Sequence, residues 1–343
     1  MRFDQELLLT SDVHLGSYLT RPLEFKQFLD NFIRNDHYQF VKKFVILGDL
    51  FELILNDIHV IMNDNEIKQI FNLLREITNM GVELHYILGN HDITFIGDFE
   101  EERESFQNTL ATYNCNIFHS ISQFAIFSFN NGFIPFDNVE EIAQILLEPS
   151  REPQYLFLHG HQFDEPLFKP MVQRIWAKKI KNDQILLKQL CNYMKNYSLI
   201  CYLKNEGKFM LTWEEFKDFY NKIDKSRLSL EEIDELWKFK NYLYFWLLGK
   251  KLKRNSFILN SYKYKIFLRA KDFLISNNIL NNFSHIIFGH THIPGFYKPL
   301  LSIVNAPIFP VLFNTGTWQQ GEYSPYITRL SATSGINIYP VKV

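Results

Sequence analysis

Asp12 and His14 stand two residues apart, His290 and His292 repeat that spacing, and Asp49, Asn90 and His159 fall between the two pairs. Carboxylate oxygen, amide oxygen and imidazole nitrogen are all metal donors. A donor set without thiolate suits Mn²⁺, Fe or Zn²⁺, and composition alone does not choose among them; Mn²⁺ is the first expectation. In an extended loop an i, i+2 pair can turn both side chains to one side and give two ligands to one ion, while a carboxylate such as Asp49 can bridge two ions. Two divalent ions roughly 3.5–4 Å apart can clamp a phosphoryl oxygen and lower the pKa of a bridging water. The expected cofactor is a pair of divalent metal ions, and the chemistry such a pair offers is attack by a metal-activated water. Polar residues also end strands for no chemical reason, but that alternative leaves the two paired spacings unexplained.

Each donor ends a short apolar run. The runs are Glu6-Leu7-Leu8-Leu9-Thr10-Ser11-Asp12, Phe44-Val45-Ile46-Leu47-Gly48-Asp49, Leu84-His85-Tyr86-Ile87-Leu88-Gly89-Asn90, Tyr155-Leu156-Phe157-Leu158-His159 and Ile286-Ile287-Phe288-Gly289-His290. Continuous apolar runs of this length read as strands buried on both faces. Phe25, Phe28, Leu29, Phe32 and Ile33 lie at helical spacing between the first two runs, and Ile67, Ile70, Phe71, Leu74 and Ile77 repeat it between the second and third. Strand and helix alternate, which predicts βαβ units of a layered α/β fold. Further strand-like runs at Phe124 to Phe129, Pro310 to Phe313 and Ile336 to Val343 complete a two-sheet core. In open α/β sheets ligands collect beyond the carboxyl ends of the strands, so the donors should meet at one edge.

A helical, basic segment interrupts this pattern. Residues 165–282 contain helical periods at Leu186 to Tyr197, Trp213 to Ile223, Ser229 to Leu248 and Tyr264 to Ile275. They carry 23 Lys plus Arg against 12 Asp plus Glu, a net +11, whereas the rest of the chain, with 13 against 26, is net −13. The total of −2 hides that division; the asymmetry bears on the substrate, and the insertion's charge fits a solvated helical surface equally well. The division of the chain is therefore 1–164 with 283–343 as core and 165–282 as insertion. Trp213, Trp237 and Trp246, with Tyr242, Tyr244 and Phe245 beside the cations from Lys250 to Arg254, suit a lipid-water interface or nucleotide phosphates, and equally the core of a helical subdomain.

Asp12-Val13-His14, Gly48-Asp49-Leu50-Phe51-Glu52, Gly89-Asn90-His91-Asp92, His159-Gly160-His161 and Gly289-His290-Thr291-His292, in that order, resemble the calcineurin-like metallophosphoesterases, as does the later Asn314-Thr315-Gly316-Thr317-Trp318. The resemblance implies a four-layer αββα core. It implies that Asp12, His14 and His292 hold one metal, that Asn90, His159 and His290 hold the other, and that Asp49 bridges them. His91 would protonate the leaving oxygen or stabilise charge at phosphorus, with Asp92 orienting its imidazole. Where the family's second motif often closes with Asp, this chain has Glu52. The Gly48-to-Glu52 motif and the long insertion also resemble the UDP-2,3-diacylglucosamine pyrophosphohydrolases, although that group typically has Arg at the place of His91 and Asp at that of His161. In that group the insertion is a lid over acyl chains, which implies a phosphorylated small-molecule or lipid-linked substrate.

His161 stands two residues beyond His159 and is expected to touch substrate or to support the site. His37, His59, His85, His119 and His285 have no ligand-like context. Two other functions fit parts of the pattern: a nuclease or cyclic-nucleotide phosphodiesterase on the same core, for which an open basic groove would be needed, and a binding scaffold with a silent site. Three unpaired cysteines and the lack of a signal-peptide pattern lead to a cytoplasmic expectation, with peripheral membrane contact through the insertion.

Overall fold

Leu7, Leu8 and Leu9 point alternately to two different cores, with Leu7 and Leu9 turned into one cluster and Leu8 into another. A strand that buries both faces needs a layer on each side. The computed structural model describes residues 6–17, 20–35, 39–53, 58–92, 99–145, 154–163, 256–279, 282–297, 310–318, 325–331 and 335–340. Within them the five runs that end in metal donors are the strands β1 (Glu6–Thr10), β2 (Val41–Leu47), β3 (Glu83–Ile87), β7 (Tyr155–Leu158) and β8 (His285–Phe288).

The remaining strands are β4 (Ser120–Ser122), β5 (Phe124–Ser128), β6 (Gly132–Phe136), β9 (Gly295–Tyr297), β10 (Val311–Asn314), β11 (Tyr326–Ser331) and β12 (Gly335–Pro340). They complete two six-stranded sheets, ordered β12-β11-β1-β2-β3-β4 and β6-β5-β7-β8-β10-β9. β1 to β4 are mutually parallel, as are β7, β8 and β10, so the donor-bearing ends within each sheet lie at one edge.

Leu7, Leu9, Val45, Leu47 and Ile87 of the first sheet pack on Ala125, Phe127, Phe157, Ile287 and Phe313 of the second, forming the layer between the sheets. The outer face of the first sheet, with Leu8, Phe44, Ile46, Leu84 and Tyr86, is covered by α1 (Pro22–Arg34), α2 (Ile58–Asn63), α3 (Asn65–Asn79) and α4 (Phe99–Thr112). In α1 and α3 the buried residues are those of the helical period, Phe25, Leu29 and Phe32, then Ile67, Ile70, Phe71, Leu74 and Ile77. Asp64 caps α3 by accepting the amides of Glu66 and Ile67 at 2.7 and 3.2 Å, which satisfies two of the four donors a helix start leaves open. The outer face of the second sheet is covered by α5 (Val139–Ile145) and α6 (Ser256–Ser276) through Ile142, Ile266, Phe267, Ala270 and Leu274. The architecture is thus αββα.

α6 contains the helical period at 264–275 and packs on the second sheet, so this end of the basic segment is a layer of the core. The helices expected at 186–197, 213–223 and 229–248, the three tryptophans, the 242–245 aromatics and the 250–254 cations lie outside the described residues. No helix among the described residues is long and apolar enough to cross a membrane.

His85, on β3, is 2% exposed and sits between the sheets, with its ring centroid 4.1 Å from that of Phe133 and its Nδ1 2.8 Å from Ser120 Oγ. Burial and then the Lys43 ammonium push its pKa down to about 4 from 6.5. The native imidazole is therefore neutral where the unfolded one takes a proton. Its contribution is complete above pH 6.5 and drains as pH falls towards 4, by roughly 3 kcal/mol at 1.36 kcal/mol per unit. His85→Asn is expected to flatten this acid-side loss relative to wild type, measured as urea unfolding free energy across pH 7 to 4. Parallel curves for the two proteins would refute the assignment.

Candidate metal centre

The edge where the strands end is built from strained backbone. Asp12, His14 and Asp49 have φ of 52°, His290 has 65° and His292 has 59°. Among the described non-glycine residues the other positive values are Asn114 and Asn278, a residue type that tolerates the left-handed region. Such conformations cost about 1–3 kcal/mol each and persist only where surrounding contacts over-determine them. Five of the seven expected donors are in this class, and their contacts show what holds them.

The Asp12 amide donates to Gly48 O at 3.0 Å and the His14 amide to Asp49 O at 2.8 Å, so the loops after β1 and β2 run together as an extra ladder. Asp12 O accepts from the Trp318 amide and Thr317 Oγ1, both at 3.0 Å, while Ser11 Oγ donates to Gly316 O at 2.9 Å. The stretch from Asn314 to Trp318 therefore fastens the Asp12 loop from behind. Asp12 in turn accepts the His290 amide at 3.0 Å through either carboxylate oxygen, which ties the first sheet to the second.

Among the described residues the donors meet in three groups, two at the ends and a third, of His14, Asp49 and His91, that shares a residue with each. Asp12 Oδ1, His14 Nε2 and His292 Nε2 form one: Asp12 to His292 is 3.1 Å and His14 to His292 is 3.3 Å. Asp49, His159 and His290 form the other, with Asn90 Oδ1 3.2 Å from His159 Nε2 and 3.0 Å from His290 Nδ1. Asp49 Oδ2 lies 3.6 Å from His14 Nε2 and 3.1 Å from His159 Nε2, between the two. All seven expected donors are thus brought together, and so are His91 and His161. The His91 amide donates to Asp49 Oδ1 at 2.8 Å, and the His161 ring centroid is 5.6 Å from that of His159. Asp12, His14, Asp49 and His159 are buried, while the side chains of His292 and His91 keep 31% and 28% exposure, so solvent reaches the cluster along that side.

Hydrogen bonding fixes the tautomers. His159 Nδ1 is 2.8 Å from Leu47 O, which can only accept, so Nδ1 carries a proton and Nε2 is the nitrogen turned to Asp49 and Asn90. Burial lowers this imidazole, but Asp49 and then Asp12 raise it more, to about 9, when no other cation stands beside those carboxylates. Glu52 Oε2 accepts His14 Nδ1–H at 3.1 Å, which leaves His14 Nε2 as an acceptor facing His292 Nε2 and Asp49. The carboxylates of Asp12 and Asp49 and the amide oxygen of Asn90 stand among these ring nitrogens in a buried space, so a cation or a shared proton must lie between them. The cluster also leaves room where a side chain would intrude. A Cβ on Gly89 would run into Asp49 Oδ1, and one on Gly48 (φ 82°) would overlap the His159 ring. Oxygen and nitrogen acceptors without thiolate, preorganised and desolvated, fit divalent ions.

One expectation is corrected. Asp92 does not orient His91. Its carboxylate accepts the backbone amides of Asp49, Phe51 and Gly89 at 2.7, 2.9 and 2.8 Å, which shapes the loops that carry Asp49 and Asn90. Burial and then the Asp49 carboxylate push its pKa up to about 7. Orientation falls to Glu52, whose Oε1 accepts His91 Nδ1–H at 2.7 Å while Oε2 serves His14. Burial pushes Glu52 up, but His91 and the bonds from both imidazoles bring it down to about 2, so it is ionised. The His91 imidazole is lowered by burial and raised more strongly by Glu52 and Asp49, to about 10, which makes it a cation.

The sequence model of the family described as calcineurin-like phosphoesterase matches residues 6–294. Among solved structures, the chain is similar to a dimetal phosphatase from Danio rerio, with 11% identity, 98% of this chain and 99% of that one covered, and a TM-score of 0.38. It is similar to a calcineurin-like phosphoesterase from Bacillus subtilis at 10% identity, covering 99% and 91% with a TM-score of 0.31. No curated protein matches the chain. The family assignment rests on the match to the family model.

Proposed function

This chain belongs to the calcineurin-like phosphoesterase family, and on that premise we propose that Asp12, His14 and His292 hold one divalent ion, Asn90, His159 and His290 a second, and Asp49 both. The protein is a metal-dependent phosphoester hydrolase; the finer reading is that it cleaves a phosphoester or phosphoanhydride in a nucleotide- or lipid-linked substrate, with Mn²⁺ as its metal. One observation carries the ligand assignment: Asp49 Oδ2 stands within 3.6 Å of His14 Nε2 and 3.1 Å of His159 Nε2, each the corner of a separate donor group.

When bound, the two ions supply Lewis acidity towards phosphoryl oxygen and a water of lowered pKa. The chain supplies the rest. Glu52 holds His91 by Nδ1–H and keeps the ring cationic, so Nε2–H is available to the leaving oxygen as general acid. Asp92 fixes the backbone of the Asp49 and Asn90 loops and so contributes geometry. His161, on the short turn His161–Phe163 beside His159, supports substrate from the second sheet's side. The net +11 of residues 165–282 suits an anionic substrate and contact with an anionic membrane surface.

The test is a substrate panel with the whole chain and Mn²⁺: bis-p-nitrophenyl phosphate, a UDP-linked pyrophosphate carrying acyl chains, a nucleoside diphosphate and single-stranded nucleic acid. Preference for the pyrophosphates by kcat/KM is the expected result. Cleavage of single strands with inert pyrophosphates would replace this reading by that of a nuclease.

A further inference from the structure

His290 and His292 sit on one short loop between β8 and β9, both in the left-handed region, with the buried Thr291 between them. The donor set does not explain what keeps that loop in shape, because the two histidines point away from it into different donor groups. The contacts behind it do. Tyr297 Oη donates to Ile293 O at 3.0 Å and, with its proton used there, accepts from Thr291 Oγ1 at 2.6 Å. The Tyr297 ring is buried, and Lys263 of α6 lies over it with Nζ 5.1 Å from the centroid, within cation–π range. The same Nζ donates to Pro294 O at 3.3 Å. At the other end Asn314 Nδ2 donates to Gly289 O, and Thr315 N to Phe288 O at 2.9 Å.

We infer that Tyr297 and Lys263 are positioning residues for both metals: a clamp from β9 and α6 that grips Thr291, Ile293 and Pro294 and so sets where His290 and His292 present their nitrogens. The inference rests on the reading of those two histidines as ligands. It adds a consequence that reading lacks. Because the loop gives one ligand to each end group, loosening it weakens both ions together, whereas loss of a single ligand acts first on its own ion. It also makes α6, at the end of the basic segment, a support of the metal loop as well as an outer layer of the core.

The experiment titrates the metal-stripped whole chain with Mn²⁺ by calorimetry, for wild type, Tyr297→Phe, Lys263→Met and Lys263→Arg, with the unfolding temperature of each metal-free protein beside it. For Tyr297→Phe and Lys263→Met both dissociation constants are expected to rise together, by roughly tenfold, the lower end of what outer-shell partners give. Lys263→Arg keeps a donor for Pro294 O and a cation over the ring, and is expected to stay close to wild type. The inference is overturned if both isotherms superimpose on wild type whatever the unfolding temperatures do, or if only one of the two sites weakens. A wild type that takes up no Mn²⁺ overturns the ligand reading beneath it, and this is told apart because the wild-type isotherm alone decides it.

Discussion

Asp49→Asn is expected to lower kcat/KM on a phosphodiester by at least about a thousandfold, some 4 kcal/mol of transition-state stabilisation. The variant isolates charge. Asn, like Asp, tolerates the left-handed backbone Asp49 occupies at φ 52°, and its shape matches. Its amide oxygen can still accept the His91 amide that Asp49 Oδ1 accepts at 2.8 Å. What is lost is the anionic oxygen that stands between His14 and His159, so metal uptake is expected to fall along with turnover. Steady-state kinetics with Mn²⁺ and metal content of the same samples check it. Near-wild-type turnover would mean that Asp49 is not shared between ions.

The second large effect concerns Glu52. It is buried and ionised, and each of its oxygens holds a different imidazole. Glu52→Gln keeps size but has one acceptor oxygen and an NH₂ in place of two acceptors, so one of the two imidazoles must lose its bond. The charge next to His91 also disappears. Glu52 is the largest of the influences that raise the His91 pKa to about 10, while burial opposes them. Removing it must therefore lower that pKa. An acid catalyst works below its pKa and fails as pH rises through it, so the high-pH limb of kcat is expected to shift to lower pH by at least one unit. Bound cations lower both limbs and leave the sign of the difference intact. A fall in kcat of roughly a hundredfold at pH 8, within the range for general acid catalysis, is expected together with that shift. His91→Ala should lose the limb altogether. A reduced kcat with an unmoved limb would assign Glu52 to metal binding through His14 and take the proton donor's role from His91.

How legible these features were in the sequence follows from how local their causes are. Runs such as Phe44 to Leu47 and Ile286 to Phe288 declare themselves because each is wholly apolar and ends in Gly, and they are β2 and β8. The periods of α1 and α3 are equally local. β4, with sequence Ser-Ile-Ser, and β9, with Gly-Phe-Tyr, carry no pattern in three residues and form because a neighbouring strand offers its edge. α4 is rich in Glu, and among its described side chains Phe106 and Leu110 are the buried ones, too sparse a stripe to read. At the site, the donor spacings announced which residues would meet. They could not announce that Glu52 serves His14 and His91, from 38 and 39 residues away, because hydrogen-bond partners across loops leave no periodicity. Asp92, adjacent to His91, invited a local reading, yet its real partners are backbone amides, which no side-chain motif reveals. The left-handed φ values at Asp12, His14, Asp49, His290 and His292 were also hidden, since the usual signal for such a conformation is a glycine. Tyr297 looked like one aromatic among many.

The most direct test of the account is the Mn²⁺ stoichiometry of the metal-stripped whole chain, titrated to saturation while hydrolysis of bis-p-nitrophenyl phosphate is followed in the same samples. Two donor groups linked through His14 and Asp49 predict uptake of about two ions per chain, with turnover rising as the second is filled. Saturation at one ion with full activity, or turnover without any bound metal, would contradict it.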